Sequence, residues 1–288
     1  MDKHYQVIII GAGPAGLSAA IYSSRAGKST LILERIAIGG QMGPVADISN
    51  YPGYSKIDGI TLASNMAAQA EELGAVIEYD GVAKIAIGKP HKISTMSGTV
   101  LTADNIIIAT GVRAKRLGVD GEEKLVGSGI SYCAECDGNF FKGKAVVVAG
   151  SGKKAIQEAL YLSKLCSSVT IISRTAIPES HLSKLSGISN IRIAIDEIIG
   201  LEGIPLTALI LKSGTKLSAS GLFVALGVTS ETGLLHGIGL SLDNLGFVIT
   251  DDSMRTNIDG VYAAGDIRSG SVRQIVTACA DGATAAMK

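Results

Sequence analysis

Few sequence features restrict a fold as strongly as an apolar run that enters a glycine turn and leaves it as a helix. Residues 7–10 are such a run, residues 11–16 have the spacing G-x-G-x-x-G, and residues 17–26 predict a helix. In this unit the glycines permit a tight turn and close backbone approach, and the helix N-terminus faces a pyrophosphate. A second run, residues 30–33, ends at Glu34, whose carboxylate can accept hydrogen bonds from ribose hydroxyls. The pattern therefore predicts a dinucleotide site rather than a simple glycine-rich turn.

The same pattern recurs 139 residues further along the chain. Residues 146–149 form another apolar run, and residues 150–155 repeat the turn with alanine in the last place. The register extends to residues 169–172, so Ser173 stands at the position of Glu34. Two nucleotide-binding folds with different residues at the ribose position indicate two domains that arose for different dinucleotides. The alternative is a chance likeness between two ordinary strand-helix units.

The order of the remaining elements predicts that one domain is inserted in the other. Outside the two repeats we predict a helix at 59–73, strands at about 75–79, 82–87, 91–96 and 99–102 in antiparallel hairpins, a buried strand at 106–108, strands within 191–210 and 217–226, and a helix at about 272–287. The chain crosses between domains after residue 111 and returns at 228–232. The predicted fold class is α/β with two Rossmann-like dinucleotide-binding domains: 1–113 with 231–288, and 114–230 inserted between them.

Composition excludes several classes of function. Lysine and arginine number 26, as do aspartate and glutamate, so no basic field favours nucleic acid or an anionic membrane. Although 47% of the residues are hydrophobic, every apolar run ends well before the ~18 residues of a spanning helix. Residues 1–6 show no apolar signal region, and we expect a cytoplasmic protein.

Cys133 and Cys136 form the candidate chemical centre. Two cysteines separated by two residues can close a disulfide, and this spacing tends to lower the pKa of one thiol. The alternative, half of a zinc site, needs further ligands, but Cys166 and Cys279 stand alone and the histidines are scattered. We therefore predict a redox pair and no metal.

The motifs taken together carry a resemblance to a known family. They are residues 11–16, Gly39-Gly40-Gln41, Asn50-Tyr51-Pro52-Gly53, Ala109-Thr110-Gly111, residues 131–138, Gly265-Asp266 and Arg273-Gln274. In this order, over nearly the whole chain, they resemble the low-molecular-weight thioredoxin reductases, a fold of pyridine nucleotide-disulfide oxidoreductase type.

The resemblance implies an FAD domain made from both ends of the chain and a homodimer formed through that domain. The residues that it assigns to FAD are Gly11, Gly13, Pro14, Ala15, Gly16, Glu34, Gly40, Gln41, Asn50, Ala109, Thr110, Gly111, Gly265, Asp266, Arg273 and Gln274. Among them, Asp266 is expected near the ribityl chain and Arg273-Gln274 near the flavin ring.

The resemblance also implies the chemistry of the cysteine pair. Cys136 is expected to be the sulfur on the flavin side, and Cys133 the thiolate that attacks a thioredoxin disulfide. Asp137 is the expected acid/base residue, since a thiolate must lose and regain a proton. A purely structural role for Asp137, as a turn aspartate before Gly138, is the alternative.

The electron donor is where the sequence departs from the family pattern. Members that use NADPH resemble one another in a histidine-arginine-arginine run with a further arginine four residues on. Here these positions read Ser173, Arg174, Thr175 and Glu179, so one arginine remains. The short second domain resembles the ferredoxin-dependent flavin thioredoxin reductases, and the sequence therefore favours reduced ferredoxin over NADPH. The intact turn at 150–155 keeps NADPH as the alternative.

The leading prediction is thus a flavoprotein that reduces thioredoxin through Cys133 and Cys136. Within the same superfamily, a peroxiredoxin-system flavoprotein or a dithiol oxidase that passes electrons to oxygen would use the same residues. A flavin-bearing redox sensor with a decayed nucleotide fold is the alternative from a different class. Steady turnover of thioredoxin would exclude the sensor.

Overall fold

The computed structural model describes residues 3–230, 233–235 and 237–288, and the chain divides into two compact units. The terminal unit comprises Met1–Arg113 with Thr229–Lys288, and the inserted unit comprises Ala114–Val228. Of the predicted return crossing at 228–232, Glu231 and Thr232 lie outside the described residues. In the part of the chain that the structure describes, no helix is long and apolar enough to cross a membrane.

The elements are numbered in chain order. The strands are β1 (Lys3–Ile10), β2 (Thr30–Leu33), β3 (Val76–Glu78), β4 (Val82–Ala86), β5 (His91–Thr95), β6 (Val100–Ile108), β7 (Val112–Ala114), β8 (Ile130–Ser131), β9 (Ala145–Ala149), β10 (Ser168–Ser173), β11 (Ile191–Ile195), β12 (Ile198–Glu202), β13 (Ala208–Leu211), β14 (Lys216–Ser218), β15 (Gly221–Val224), β16 (Val228–Ser230) and β17 (Val261–Ala263). The α-helices are α1 (Pro14–Arg25), α2 (Gly59–Glu72), α3 (Glu122–Leu125), α4 (Ala134–Asp137), α5 (Lys153–Ser163), α6 (Glu179–Leu182) and α7 (Ile275–Ala286).

The terminal unit is built on a sheet of strand order β3-β2-β1-β6-β5-β4, with β17 also paired to β6. β1 lies parallel to β2 and β6, whereas β5 is antiparallel to β6 and β4. One face packs against α1, α2 and α7, and the apolar residues of β1 alternate between the two faces. The carboxyl ends of β1, β2 and β6 consequently meet at one edge of the sheet.

Two details of this sheet differ from the sequence prediction. β3 was predicted in a hairpin, but it pairs in parallel with β2, with Leu31 opposite Val76. The helix α2 precedes β3, and a helical crossover returns the chain in the parallel direction. The predicted strands at 99–102 and 106–108 are one strand, because Ala103 and Asn105 continue the ladder to β1.

The inserted unit has a parallel sheet of order β11-β10-β9-β15-β8. The helix α5 covers one face, with Ile156, Ala159 and Leu162 in that core. The antiparallel strands β12, β13 and β14 contribute Ile198, Leu209 and other residues to the core on the other face. β9 is followed at its carboxyl end by the second glycine turn, as β1 is by the first.

Candidate functional site

The first glycine turn has a geometry that only small residues allow. Gly11 has a φ of +103°, and a Cβ there would lie 2.6 Å from the Ala109 carbonyl oxygen. A Cβ on Gly16 would lie 1.9 Å from the Gly11 oxygen. Gly13, by contrast, precedes α1 with no side-chain cap, and a Cβ there would meet nothing within 4 Å. The start of a twelve-residue helix therefore faces open space, with Pro14 and Ala15 in its first turn.

Glu34 is held at the end of β2, beside this turn. Its Oε2 accepts a hydrogen bond from the Ala12 N–H at 2.8 Å, and its Oε1 accepts one from the Ile36 N–H at 2.8 Å. The Ala37 N–H also donates to Oε1, at 3.3 Å. The carboxylate is thus fixed in position by backbone groups, as a ribose-binding residue must be.

The loop after β2 and the end of β6 border the same turn. The Gly39 N–H donates to the Ala12 oxygen at 2.8 Å, and a Cβ on Gly40 would lie 3.5 Å from the Gly13 Cα. Gln41 connects this loop to the residues that follow β6, because its Nε2 donates to the Val112 oxygen at 2.5 Å. The three predicted residues after β6 are Ala109, Thr110 and Gly111; the first donates its N–H to the Ile10 oxygen at 2.9 Å.

Arg273 and Gln274, predicted near the flavin ring, lie immediately before α7, and Gln274 contacts the predicted FAD residue Asn50. Asn50 donates from Nδ2 to Gln274 Oε1 at 3.1 Å, although 224 positions separate them. Gln274 caps α7 in a capping box with Thr277. Arg273 has a φ of +62°, and its guanidinium lies 5.0 Å from the centroid of the Phe247 ring. This φ is unusual for a residue other than glycine and turns the chain immediately before the helix.

Asp266 follows Gly265, whose φ is +77°, in a short 3-10 turn. Burial raises the pKa of the Asp266 carboxyl, and the charge of Arg273 opposes this rise. The Ser271 hydroxyl donates to Asp266 Oδ1 over a long 3.5 Å. A mostly buried carboxylate with such weak protein partners suits a ligand that brings hydroxyl donors.

Sequence reasoning missed the residues that support this region. Arg268 Nη1 lies 2.7 Å from Asp281 Oδ2, both side chains are largely buried, and the Gly265 N–H donates to the same oxygen at 3.1 Å. Behind the glycine turn, Cys279 Sγ lies 3.9 Å from the Tyr51 hydroxyl, and burial is the main cause that raises the pKa of Tyr51 to about 12. No short-range pattern connects these pairs in the sequence.

Cys133 and Cys136 are joined by a disulfide, with their Cα atoms 5.3 Å apart. Cys133 also caps α4, because the Cys136 N–H donates to its Sγ at 3.2 Å. The Ser131 hydroxyl accepts from the Cys133 N–H at 3.0 Å and donates to Asp137 Oδ2 at 2.6 Å. Asp137 is therefore connected to the Cys133 backbone through one hydroxyl group.

The second glycine turn repeats the geometry of the first. Gly150 has a φ of +145°, and a Cβ there would lie 2.6 Å from the Ala225 oxygen. Gly152 precedes α5 without a side-chain cap, and a Cβ there would meet nothing within 4 Å. The third small residue is Ala155, which is fully buried. The start of α5 therefore also faces open space.

The residues that follow β10 form a cluster that the sequence did not predict. Arg174 Nη2 lies 3.1 Å from Glu197 Oε1, and Lys212 Nζ lies 3.0 Å from Glu197 Oε2. The two cations hold the pKa of Glu197 below its usual value, with Lys212 contributing most. The Ser173 hydroxyl donates to the Thr175 oxygen at 2.6 Å. Two cations therefore lie beside the ribose position, where the carboxylates of Glu197 and Asp196 balance their charge.

Comparison with known proteins identifies relatives along the whole chain. Residues 5–282 match the family model described as pyridine nucleotide-disulphide oxidoreductase. The thioredoxin reductase of Listeria monocytogenes is 40% identical over 295 residues, which span 99% of this chain and 92% of that protein. The thioredoxin reductase of Bacillus subtilis is 38% identical, over 99% of this chain and 93% of that protein.

Solved structures give the same answer for the fold. The thioredoxin reductase of Streptococcus pyogenes superposes with a TM-score of 0.94 at 35% identity, over 100% of this chain and 97% of that chain. The predicted α/β fold with two Rossmann-like sheets is confirmed. The predicted membership of a ferredoxin-dependent subgroup has no support, because these relatives are named simply as thioredoxin reductases.

Proposed function

Because this chain belongs to the pyridine nucleotide-disulphide oxidoreductase family and is a flavoprotein of its thioredoxin reductase group, we propose that it reduces thioredoxin through Cys133 and Cys136. The observation that carries the proposal is the closed disulfide beside Asp137, in a unit that also has a nucleotide-type glycine turn. By the same family likeness, we propose a homodimer that forms through the terminal unit.

The terminal unit has residues suited to FAD. The open space at Gly13 leaves room for a pyrophosphate at the start of α1, and Glu34 offers a fixed carboxylate for the ribose. Asp266 offers a buried acceptor for hydroxyl groups, and Gln41 and Asn50 lie on the loops that border the turn and the start of α7. When bound, FAD supplies a carrier that accepts two electrons from the donor and releases them to a disulfide.

The cysteine pair completes the transfer by disulfide exchange. Reduction breaks the Cys133–Cys136 bond, consumes two electrons and two protons, and leaves two thiols. The Cys133 thiolate then attacks one sulfur of thioredoxin, forming a mixed disulfide and releasing the other sulfur as a thiolate. Cys136, once deprotonated, attacks Cys133, so the internal disulfide re-forms and thioredoxin leaves with two thiols.

The position of Asp137 in the chain and its hydrogen bond to Ser131 support a role in proton transfer during this exchange. Its Oδ2 accepts from the Ser131 hydroxyl, whose oxygen in turn accepts from the Cys133 N–H. We propose that Asp137 takes a proton from the reduced pair as a thiolate forms, and returns it to the leaving thiolate of thioredoxin.

We further propose that NADPH is the donor, which reverses the preference drawn from the sequence. The turn at Gly150 and Gly152 retains the open helix start that a pyrophosphate needs. Although the arginine run is reduced, Arg174 remains beside Ser173 and Lys212 adds a second cation, and both side chains could pair with a 2′-phosphate in place of Glu197.

Anaerobic titration of the flavin-loaded protein tests both the donor and the relay. We expect an equal amount of NADPH to bleach the flavin absorbance and to support continuous reduction of thioredoxin. Bleaching by reduced ferredoxin alone would exclude NADPH. The matched variants Cys133→Ser and Cys136→Ser should abolish thioredoxin reduction while flavin reduction continues. A single stoichiometric reduction without turnover would instead favour a redox sensor.

A further inference from the structure

Two residues of α5 interact with the backbone next to Cys133. Lys154 Nζ donates to the Tyr132 carbonyl oxygen at 2.9 Å, and the backbone of Ala134 lowers the pKa of the Glu158 carboxyl. Residues 154 and 158 lie one helical turn apart, so they present their side chains on the same face. The peptide group that precedes Cys133 is thus tied to α5 by a hydrogen bond, and the residue that follows Cys133 interacts with a carboxylate of the same helix.

Lys154 and Glu158 also form an ion pair in a poorly solvated position. Lys154 Nζ lies 3.5 Å from Glu158 Oε1, and the Glu158 side chain is only 8% exposed. Its Oε2 is buried without a hydrogen-bond partner among the residues that the structure describes. Burial raises the pKa of Glu158, and Lys154 opposes this rise. Each charge therefore compensates the other at close range to the redox pair.

We propose that Lys154 and Glu158 are positioning residues that set how readily Cys133 ionises after the disulfide has been reduced. The inference deepens the proposed function, since it concerns the sulfur that would attack thioredoxin. It also explains why a lysine occupies the first turn of α5, where a cation is unfavourable to the helix dipole. The unfavourable interaction of Lys154 with the helix dipole is offset by its contacts with Glu158 and with the Tyr132 carbonyl oxygen.

The two residues should act in opposite directions. A cation near a thiol stabilises its thiolate, and an anion destabilises it. Removal of the Lys154 charge takes the cation away from the Cys133 backbone and leaves the carboxylates of Glu135 and Asp137 on α4, while burial favours the neutral form of Glu158. Removal of the Glu158 charge leaves Lys154 as an uncompensated cation. A residue that acted only through packing would not reverse the sign between these two changes.

The test measures the thiol pKa of Cys133 in the flavin-loaded Cys136→Ser protein. The rate of alkylation by iodoacetamide is followed between about pH 5 and pH 10 by mass spectrometry of the Cys133 peptide, which separates it from Cys166 and Cys279. Glu158→Gln should lower this pKa by about half a unit or more, and Lys154→Met should raise it by a similar amount. Lys153→Met is the matched control, because it removes an exposed cation from the same turn and should leave the value unchanged.

Three results would overturn the inference: shifts of the same sign in both variants, no shift in either, or an equal shift in the Lys153 control. If Lys154→Met does not fold, Lys154→Arg decides, since it keeps the cation and should titrate as the parent does. The measurement uses neither donor nor thioredoxin. A protein that failed to reduce thioredoxin could therefore still give the predicted shifts, and the two proposals fail separately.

Discussion

The two glycine turns of this molecule share the close approach of their first glycine to a neighbouring carbonyl and differ in most of the side chains around them. In both turns, a Cβ on the first glycine would lie 2.6 Å from a carbonyl oxygen, that of Ala109 or Ala225. In both, the second glycine, Gly13 or Gly152, faces open space. The glycine spacing therefore reports how a strand must pass into a helix, and the chemistry of the ligand is determined elsewhere.

The differences lie at the end of the next strand and in the first turn of the helix. Glu34 uses its carboxylate to organise the backbone of its own turn, whereas the Ser173 hydroxyl forms hydrogen bonds with the backbone of Thr175. The first turn of α1 carries no charge, whereas Lys154 reaches from α5 to the redox pair. The first turn is thus connected to Glu34 at the end of β2. The second is connected, through Lys154, to Tyr132 next to Cys133.

The last small residue of each turn, Gly16 or Ala155, should give the largest difference in the free energy of unfolding between variants of the two turns. Gly16→Ala places a Cβ against the Gly11 oxygen and should cost about 3 kcal/mol or more, with loss of bound flavin. The reverse change, Ala155→Gly, should cost only about 1–2 kcal/mol. Denaturant unfolding and the flavin absorbance of the purified proteins measure both. Equal costs would mean that the two turns are not packed differently at this position.

Substitution of the second glycine, Gly13 or Gly152, should affect a different ligand in each turn. Because a Cβ at Gly13 or Gly152 meets no protein atom, valine should leave the fold intact at either position. Gly13→Val should reduce flavin affinity at least about tenfold, and Gly152→Val should raise the KM for NADPH by a similar factor with flavin content unchanged. Flavin titration and steady-state kinetics provide the two readouts. A Gly152→Val protein with an unchanged KM would show that no nucleotide approaches this turn.

Arg174 should distinguish the two ribose positions by their charge. If Arg174 pairs with the 2′-phosphate as proposed, Arg174→Ala should raise the KM for NADPH about 10- to 100-fold, with little effect on NADH. Glu197→Gln is the paired variant, and it should lower the KM for NADPH because the cluster becomes more positive. A change of equal size with NADH and NADPH would contradict a role in 2′-phosphate binding.

The smallest effect is expected from Asp266→Asn on the pH dependence of stability, measured in flavin-free protein. Burial raises its pKa in the folded chain, so the unfolded chain loses this proton first as the pH rises. The contribution to stability therefore decreases from the usual carboxyl pKa up to the raised value. Asp266→Asn cannot ionise, so in urea unfolding it should lose less stability than the parent as the pH rises from the usual carboxyl pKa toward the raised value. Parallel pH profiles of the two proteins would refute this prediction.

The local elements could be predicted from the sequence because short-range patterns specify them. β2 has the predicted bounds, and α2 ends one residue before the predicted end. The direction of β3 could not be predicted, since its apolar pattern is the same in a parallel and an antiparallel pair. Asn50 and Gln274 were assigned to the same cofactor only through the resemblance, and their contact was not predicted, because they are 224 positions apart.

The preference for ferredoxin shows why a missing motif is weak evidence. The sequence indicated that Arg174 had lost its neighbouring arginines, and this is correct for the linear order. The structure supplies a second cation, Lys212, from a turn between β13 and β14 that no local pattern connects to β10. The electrostatic potential at a ligand is the sum over all charges that the fold brings near it, and a short sequence motif contains only some of those charges.

The bonds of Glu34 have a practical consequence for work with this protein. Because its two carboxylate oxygens accept from Ala12, Ile36 and Ala37, the turn is ordered by protein atoms alone. After removal of its flavin, the apoprotein should keep a preformed binding site. It should therefore bind a synthetic flavin on simple mixing, without a refolding step. Deazaflavin or fluorescent analogues could then be exchanged into it as reporters.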